Sequence, residues 1–154
     1  MNGLVVFDTS YGNTRILAEA IAGALQATGI ETDTLHVKKV KKLRAEDYNF
    51  IVIGSPTRLG TMSLTVKGFL GRFNDKAWTG KPFAVFDTEL SENIEMQEGS
   101  AAEKIAGKLK EEQMKQLLPV LKAVVLGRKG PLQEGEIERA KEYALKIAAE
   151  LRGL

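Results

Sequence analysis

The sequence predicts an α/β fold in which a parallel five-stranded sheet of order 2-1-3-4-5 is doubly wound, with helices on both faces. Three observations carry that expectation. Apolar blocks alternate with amphipathic stretches along all 154 residues, the β-α repeat of a parallel sheet covered on both sides. Four of the five strand candidates are nearly continuous apolar runs, the pattern of strands buried on both faces. The remaining one, "ETDTLHV" at residues 31–37, alternates instead, which suits an edge strand with one wetter face.

In chain order, the first strand is expected over Gly3–Asp8, and a helix over Asn13–Thr28, where the apolar residues repeat at helical spacing. The edge strand Glu31–Val37 follows, then a weaker helical turn at Leu43–Tyr48 and a third strand at Phe50–Gly54. A helix over Ser63–Phe73 leads to a fourth strand at Phe83–Phe86. The helix Ser100–Lys115, a fifth strand at Val120–Leu126 and a closing helix at Glu136–Leu151 complete the alternation. No internal repeat, low-complexity tract or linker interrupts it, so residues 1–154 read as a single domain.

Composition removes whole classes of chemistry. With no cysteine there is no disulfide, thiolate nucleophile or iron–sulfur ligation, and with one histidine, His36, there is no multi-histidine metal site. Redox chemistry would need an organic cofactor. A net charge of +2 is too small to argue for nucleic acid. No segment reaches the roughly 18 apolar residues of a membrane span, and Met1–Asp8 lacks the basic lead and cleavage site of a signal peptide, so a cytoplasmic protein is expected.

In sheets of this order a ligand sits outside the carboxyl ends of the strands, beside the first and third. The loops to inspect are therefore "DTSYGNT", "GSPTRLGTMS" and "FDTELSENIEMQEGS". In the first, the chain enters a helix near Asn13, whose leading amides have no partner within the helix. Thr9, Ser10 and Thr14 add hydroxyls and Gly12 permits close backbone approach, so the loop resembles a nest for a doubly charged phosphate. The competing reading is N-capping by Ser10 or Asn13 in an ordinary turn. Other phosphate motifs fail: "GKP" and "GKL" lack the Walker spacing and hydroxyl, and a dinucleotide loop needs two further glycines. A receiver domain needs an acid where the third strand ends in Gly54 and Ser55.

The run Val5-Val6-Phe7-x-Thr9-x-x-Gly12-x-Thr14-x-x-x-Ala18-x-x-Ile21 resembles the flavodoxin signature at each specified position. The loop order extends that resemblance over the whole chain. The resemblance implies a flavodoxin-like three-layer sandwich binding FMN, with Thr9, Ser10, Tyr11, Gly12, Asn13 and Thr14 as the phosphate cradle. Arg15 either lends charge from the first helical turn or lies solvated. The second loop is similar to the flavin-facing loop of flavodoxins and, in its PTRxGxM form, to that of WrbA-type quinone reductases. Pro56, Thr57, Arg58, Leu59, Gly60 and Thr61 are accordingly assigned to the flavin, with Met62 and Leu64 either packing there or in the core.

In flavodoxins a peptide of this loop turns on one-electron reduction, and Gly60 tolerates either sign of φ. A β-branched residue in place of Gly60 is expected to lower semiquinone accumulation in a reductive titration; unchanged accumulation would discard the idea. In the third loop, Asp87, Thr88 and Glu89 are the expected ring-edge contacts. The acids Asp87, Glu89, Glu92, Glu95 and Glu98 would disfavour an anionic reduced flavin, while Glu95 and Glu98 equally suit a helix N-terminus.

The resemblance has departures. Neither flavin-facing loop carries the Tyr or Trp that often stacks on the ring in flavodoxins. Tyr11 and Trp78 are the nearest aromatics, and Trp78 reads as packing between helix and sheet. An open flavin face would admit a second substrate. The basic run "KKVKKLR" at residues 38–44 reads as solvated surface or as a dock for an acidic partner, and His36 as a surface residue rather than a catalytic base. Two functions follow. One is electron transfer between a reductase and an acceptor protein, the FMN cycling through oxidised, semiquinone and hydroquinone states with no catalytic side chain and no metal. The alternative is an FMN-dependent NAD(P)H:quinone-type reductase acting on a quinone-like small molecule. That alternative departs from the WrbA type in lacking its extra segments and histidine.

Overall fold

Among residues 1–91 and 100–154, which the computed structural model describes, six strands and four α-helices form the frame. The strands are β1 (Asn2–Phe7), β2 (Glu31–His36), β3 (Phe50–Pro56), β4 (Pro82–Leu90), β5 (Lys115–Gln116) and β6 (Leu121–Val125). The helices are α1 (Asn13–Ala27), α2 (Leu64–Leu70), α3 (Ala101–Glu111) and α4 (Glu136–Arg152). All strand pairs are parallel, in the order β2-β1-β3-β4 with β5 and β6 both paired to β4.

Alternation along each strand divides two apolar cores. Val5, Phe7, Phe50, Val52, Ala84 and Phe86 pack under α1 and α4 with Leu17, Ile21, Ala144 and Ile147. Leu4, Val6, Ile51, Ile53, Phe83 and Val85 pack on the opposite face with α2 and α3, through Val66, Phe69, Ile105 and Leu109. Trp78 belongs to this second core, fully buried and edge-on to Phe73 at 4.9 Å, which accounts for it as packing. On the α1 face two strand glycines make room for rings from the next strand. A Cβ on Gly3 would stand 2.1 Å from the Phe50 ring, and one on Gly54 would stand 2.1 Å from Phe86.

Three expectations need correction. The helix expected over Ser100–Lys115 stops at Glu111 and an extra strand follows it: β5 pairs with Pro82 and Phe83, while β6, the expected fifth strand, pairs with Phe86–Leu90, both along the β4 edge that β3 leaves open. Pro119 lies between the two and has no amide for the ladder; its carbonyl accepts the Tyr143 hydroxyl at 2.9 Å. The fourth strand runs on to Leu90, so Asp87, Thr88 and Glu89 are strand residues rather than loop residues. The second helix stops at Leu70 and continues only as a 3₁₀ turn, Gly71–Asn74.

The outer edge of β6 is used within the chain. The Val124 amide donates to the Glu136 carboxylate at 2.6 Å, the Val124 carbonyl accepts from the Gln133 amide at 2.9 Å, and the Leu126 amide donates to the Pro131 carbonyl at 2.9 Å.

Candidate functional site

At the carboxyl ends of β1, β3, β4 and β6 lies a cleft of about 510 Å³, a size typical of small-ligand sites. Its first wall is the β1–α1 loop. Thr9, Ser10, Tyr11, Asn13 and Thr14 line it. Gly12 is the N-cap of α1 at φ 92°, and no side chain caps that helix. N-capping by Ser10 or Asn13 is thereby replaced by a bare helix mouth. The Ile16 amide makes the bond to Gly12 C=O, so the amides of Asn13, Thr14 and Arg15 precede it at the mouth. By contrast, Ser63 caps α2, and Ser100 with Glu103 forms a capping box on α3.

Thr9 Oγ1 accepts the Gly12 amide at 2.9 Å, which leaves its own hydrogen to donate into the cleft. Thr14 is buried and shares a 3.0 Å hydrogen bond with Thr88 on β4, tying the loop to the sheet. Arg15 pairs with Glu19 one turn along the exposed face. His36, expected as a surface residue, is instead partly covered and braces the loop: its Nε2 lies 3.0 Å from Asp8 Oδ1, which also accepts the Thr9 amide. The Lys38 amide donates to His36 Nδ1 at 3.1 Å, so the ring carries its hydrogen on Nε2.

The second wall is the β3–α2 loop, with Pro56, Thr57, Arg58 and Leu59 at the cleft. Leu59 and Gly60 are both left-handed, at φ 50° and 76°, while Arg58 and Thr61 exchange backbone hydrogen bonds at 2.9 and 3.0 Å. This is the geometry of a two-residue primed turn, which a leucine enters at a cost of about 1 kcal/mol. Lys104 from α3 holds it by donating to the Gly60 carbonyl at 2.7 Å. Gly60 and Thr61 thus shape the loop, and Leu59 stands fully exposed at its tip. Met62 packs against the core while Leu64 is exposed.

The third wall comes from β4. Thr88, Glu89 and Leu90 line the cleft. Asp87 does not: it is fully buried, and its Oδ2 accepts from Ser100 Oγ at 2.5 Å, the Ala102 amide at 3.0 Å, Thr57 Oγ1 at 3.2 Å and Lys122 Nζ at 3.0 Å. Strand alternation explains this, since Asp87 sits on the α3 face beside its cross-strand neighbour Lys122. Burial pushes the Glu89 carboxyl above its usual range, against the pull of Lys122 and with the help of Asp87. Burial also opposes ionisation of Glu103, but hydrogen bonds from Ser100 and Lys122 outweigh it and hold that carboxyl low. Glu92, Glu95 and Glu98 lie outside the described residues.

Three lining residues were missed from the sequence: Leu90, Val125 and Arg128. The last two belong to β6 and the loop after it, which closes on the β1–α1 loop where Asn13 Nδ2 donates to the Lys129 carbonyl at 3.2 Å. Lys129 Nζ lies 6.0 Å from the Tyr11 ring centre. The signal for this wall was available: "LGRKGPL" follows a strand at the same end of the sheet as the other loops.

Residues 4–129 match the family model described as a flavodoxin domain. The chain belongs to the flavodoxin domain family. This flavodoxin domain is 34% identical over 76 residues to the flavodoxin of Aquifex aeolicus, a match covering 49% of the chain and 41% of the relative. It is 35% identical over 60 residues to the protoporphyrinogen IX dehydrogenase [quinone] of Escherichia coli K12, covering 39% of the chain and 33% of the relative. The matched segments thus span about a third to two-fifths of these curated relatives. Its fold superimposes on a flavodoxin from the domain Archaea with a TM-score of 0.82, 23% identity and 99% of each chain covered. Family membership implies a flavin cofactor. No helix among its described residues is long and apolar enough to cross a membrane.

Proposed function

We propose that the chain, residues 1–154 read as one domain, is an FMN-binding electron carrier of the flavodoxin type in a cytoplasmic setting. The observation that carries this reading is the uncapped mouth of α1 beside a free Thr9 hydroxyl hydrogen, a donor set suited to a dianionic phosphate. FMN fits these residues: Thr9, Ser10, Asn13 and Thr14 would hold its phosphate, and Pro56–Leu59 with Thr88–Leu90 would border the ring. The bound flavin supplies the electron-transfer chemistry. The protein's part is to hold the phosphate through amides and hydroxyls, to border the ring with aliphatic side chains, and to leave an exposed rim where redox protein partners can approach.

Fluorescence titration with FMN tests this reading. Ser10→Asp places a carboxylate at the exposed cradle and is expected to weaken FMN binding about 100-fold, or roughly 2.7 kcal/mol. Its thermal midpoint should stay put, because Ser10 is exposed. Equal affinity in the variant, or no binding by the unmodified chain, would sink the phosphate assignment.

A second reading, an NAD(P)H:quinone-type reductase, is favoured by the fully exposed Leu59 at the rim and by Leu90 in the wall, which offer apolar contact to a quinone-like substrate. The name of the Escherichia coli relative includes a quinone. Direct bleaching of the FMN-loaded protein by NADH or NADPH would move the assignment to this reading.

A further inference from the structure

The charge cluster behind the cleft is larger than the cleft wall requires. Asp87 and Glu89 project from one face of β4, Lys122 comes from β6, and Ser100 and Glu103 come from the mouth of α3. Lys122 Nζ lies 3.0 Å from Asp87 Oδ2, 3.2 Å from Glu103 Oε2 and 3.4 Å from Glu89 Oε2, and it also donates to Ser100 Oγ. Ser100 Oγ lies 2.5 Å from Asp87 Oδ2 and 2.6 Å from Glu103 Oε2.

Three acids therefore share one ammonium. Lys122 has three protons for four oxygens, and Ser100 has one hydroxyl proton for two carboxyls. Asp87 Oδ1 is buried with no hydrogen-bond partner among the described residues. A site with three carboxyls around one ammonium, two of them buried, does not keep all its carboxyls ionised out of water. Glu89 is the member that is both almost fully buried and part of the cleft wall. Burial, then the Asp87 charge, favours its neutral form. Among the described residues, its charged and titratable surroundings include Asp87 on β4, Lys122 on β6 and Glu103 on α3, with Arg58 and Arg128 lining the same cleft.

We propose that Glu89 is a proton-exchanging carboxyl of the cleft, taking one proton from solvent when negative charge enters the cleft and returning it when that charge leaves. The inference rests on the flavin reading of the cleft. A one-electron reductant such as dithionite gives its electron to the bound flavin and is itself oxidised. One solvent proton then bonds to a Glu89 carboxylate oxygen, so the cleft gains no net charge. Lys122 positions the group and keeps its ionised form accessible, which a carboxyl in an apolar wall would not have.

The test is carbon-13 carboxyl NMR of glutamate-labelled protein titrated from pH 4 to 9, first without flavin and then loaded with FMN. One glutamate signal is expected to titrate above the usual carboxylate range without flavin, to move further up on loading, and to be missing in Glu89→Gln. Reducing the loaded protein with dithionite should raise it by about one further pH unit. Ordinary titration of all glutamates, or survival of the raised signal in Glu89→Gln, overturns the proposal. Should that variant fail to fold, correlation of the raised signal with the Glu89 backbone in the unmodified protein decides the same question. Failure to bind FMN counts against the flavin reading, while the flavin-free titration still judges Glu89.

Discussion

Lys122→Met is expected to destabilise the chain by about 3 kcal/mol at pH 7, because it leaves the carboxyls of Asp87, Glu89 and Glu103 facing one another without their cation. For a chain of this length that is a fall of roughly 6–12 °C in thermal midpoint. Methionine keeps the length and apolar stem, so the loss reports the charge rather than a cavity. The pH dependence gives a second check. Burial raises the Glu89 carboxyl in the fold, and Lys122 opposes that rise, so removing Lys122 raises it further. A carboxyl raised in the folded state contributes stability that is fully present below its unfolded value and is lost as pH rises through its folded value. The deficit of the variant should therefore shrink between pH 7 and pH 5. The Glu103 carboxyl has the opposite sign: it is lowered in the fold, so its contribution is present above the ordinary glutamate range and is lost only as pH falls through that lowered value. Urea denaturation at pH 5 and pH 7 measures the Glu89 contribution, and equal deficits at the two would show that Glu89 and Lys122 are not electrostatically coupled.

Gly54→Ala is expected to cost about 2 kcal/mol although it adds one methyl group. The new Cβ would stand 2.1–2.6 Å from three atoms of the fully buried Phe86 ring, in the middle of the sheet where neither strand can withdraw. Beyond stability, the Gly54 carbonyl accepts the Asp8 amide at 3.1 Å, so displacement of β3 also displaces the start of the β1–α1 loop. The same substitution in a Phe86→Leu background should cost less, because the smaller side chain vacates the collision. A double-mutant cycle that closes with no coupling between the two positions would refute the steric account.

The parts of the fold legible in the sequence are those dictated by local pattern. The edge position of β2 followed from its alternation, and α1 begins at Asn13 where the amphipathic repeat begins. The short strand β5 was not legible, because Lys115 closes the helical pattern read over Ser100–Lys115 and neither it nor Gln116 is apolar. Asp87, Thr88 and Glu89 read as a loop because charged residues are seldom buried in strands. What makes them tolerable is Lys122, distant in sequence and adjacent only once β6 pairs with β4. The cleft shows the same division. Its Gly12 and Thr9 are local signals at a strand-to-helix turn, whereas Arg128 and Val125 enter it through topology, and the bracing of Asp8 by His36 depends on the pairing of β1 with β2.

The way the chain closes its last strand also bears on self-association. A parallel sheet ordinarily ends in a row of amides and carbonyls that a second copy could extend, the first step toward fibres or swapped dimers. Beside the cleft, that row is already engaged by Glu136, Gln133 and Pro131 of the same molecule, and farther down it is cut by Pro119 into a two-residue piece and a five-residue piece. A docking partner at this end of the molecule would therefore have to read side chains at the rim of the cleft, since no run of β6 backbone is left to template its own strand.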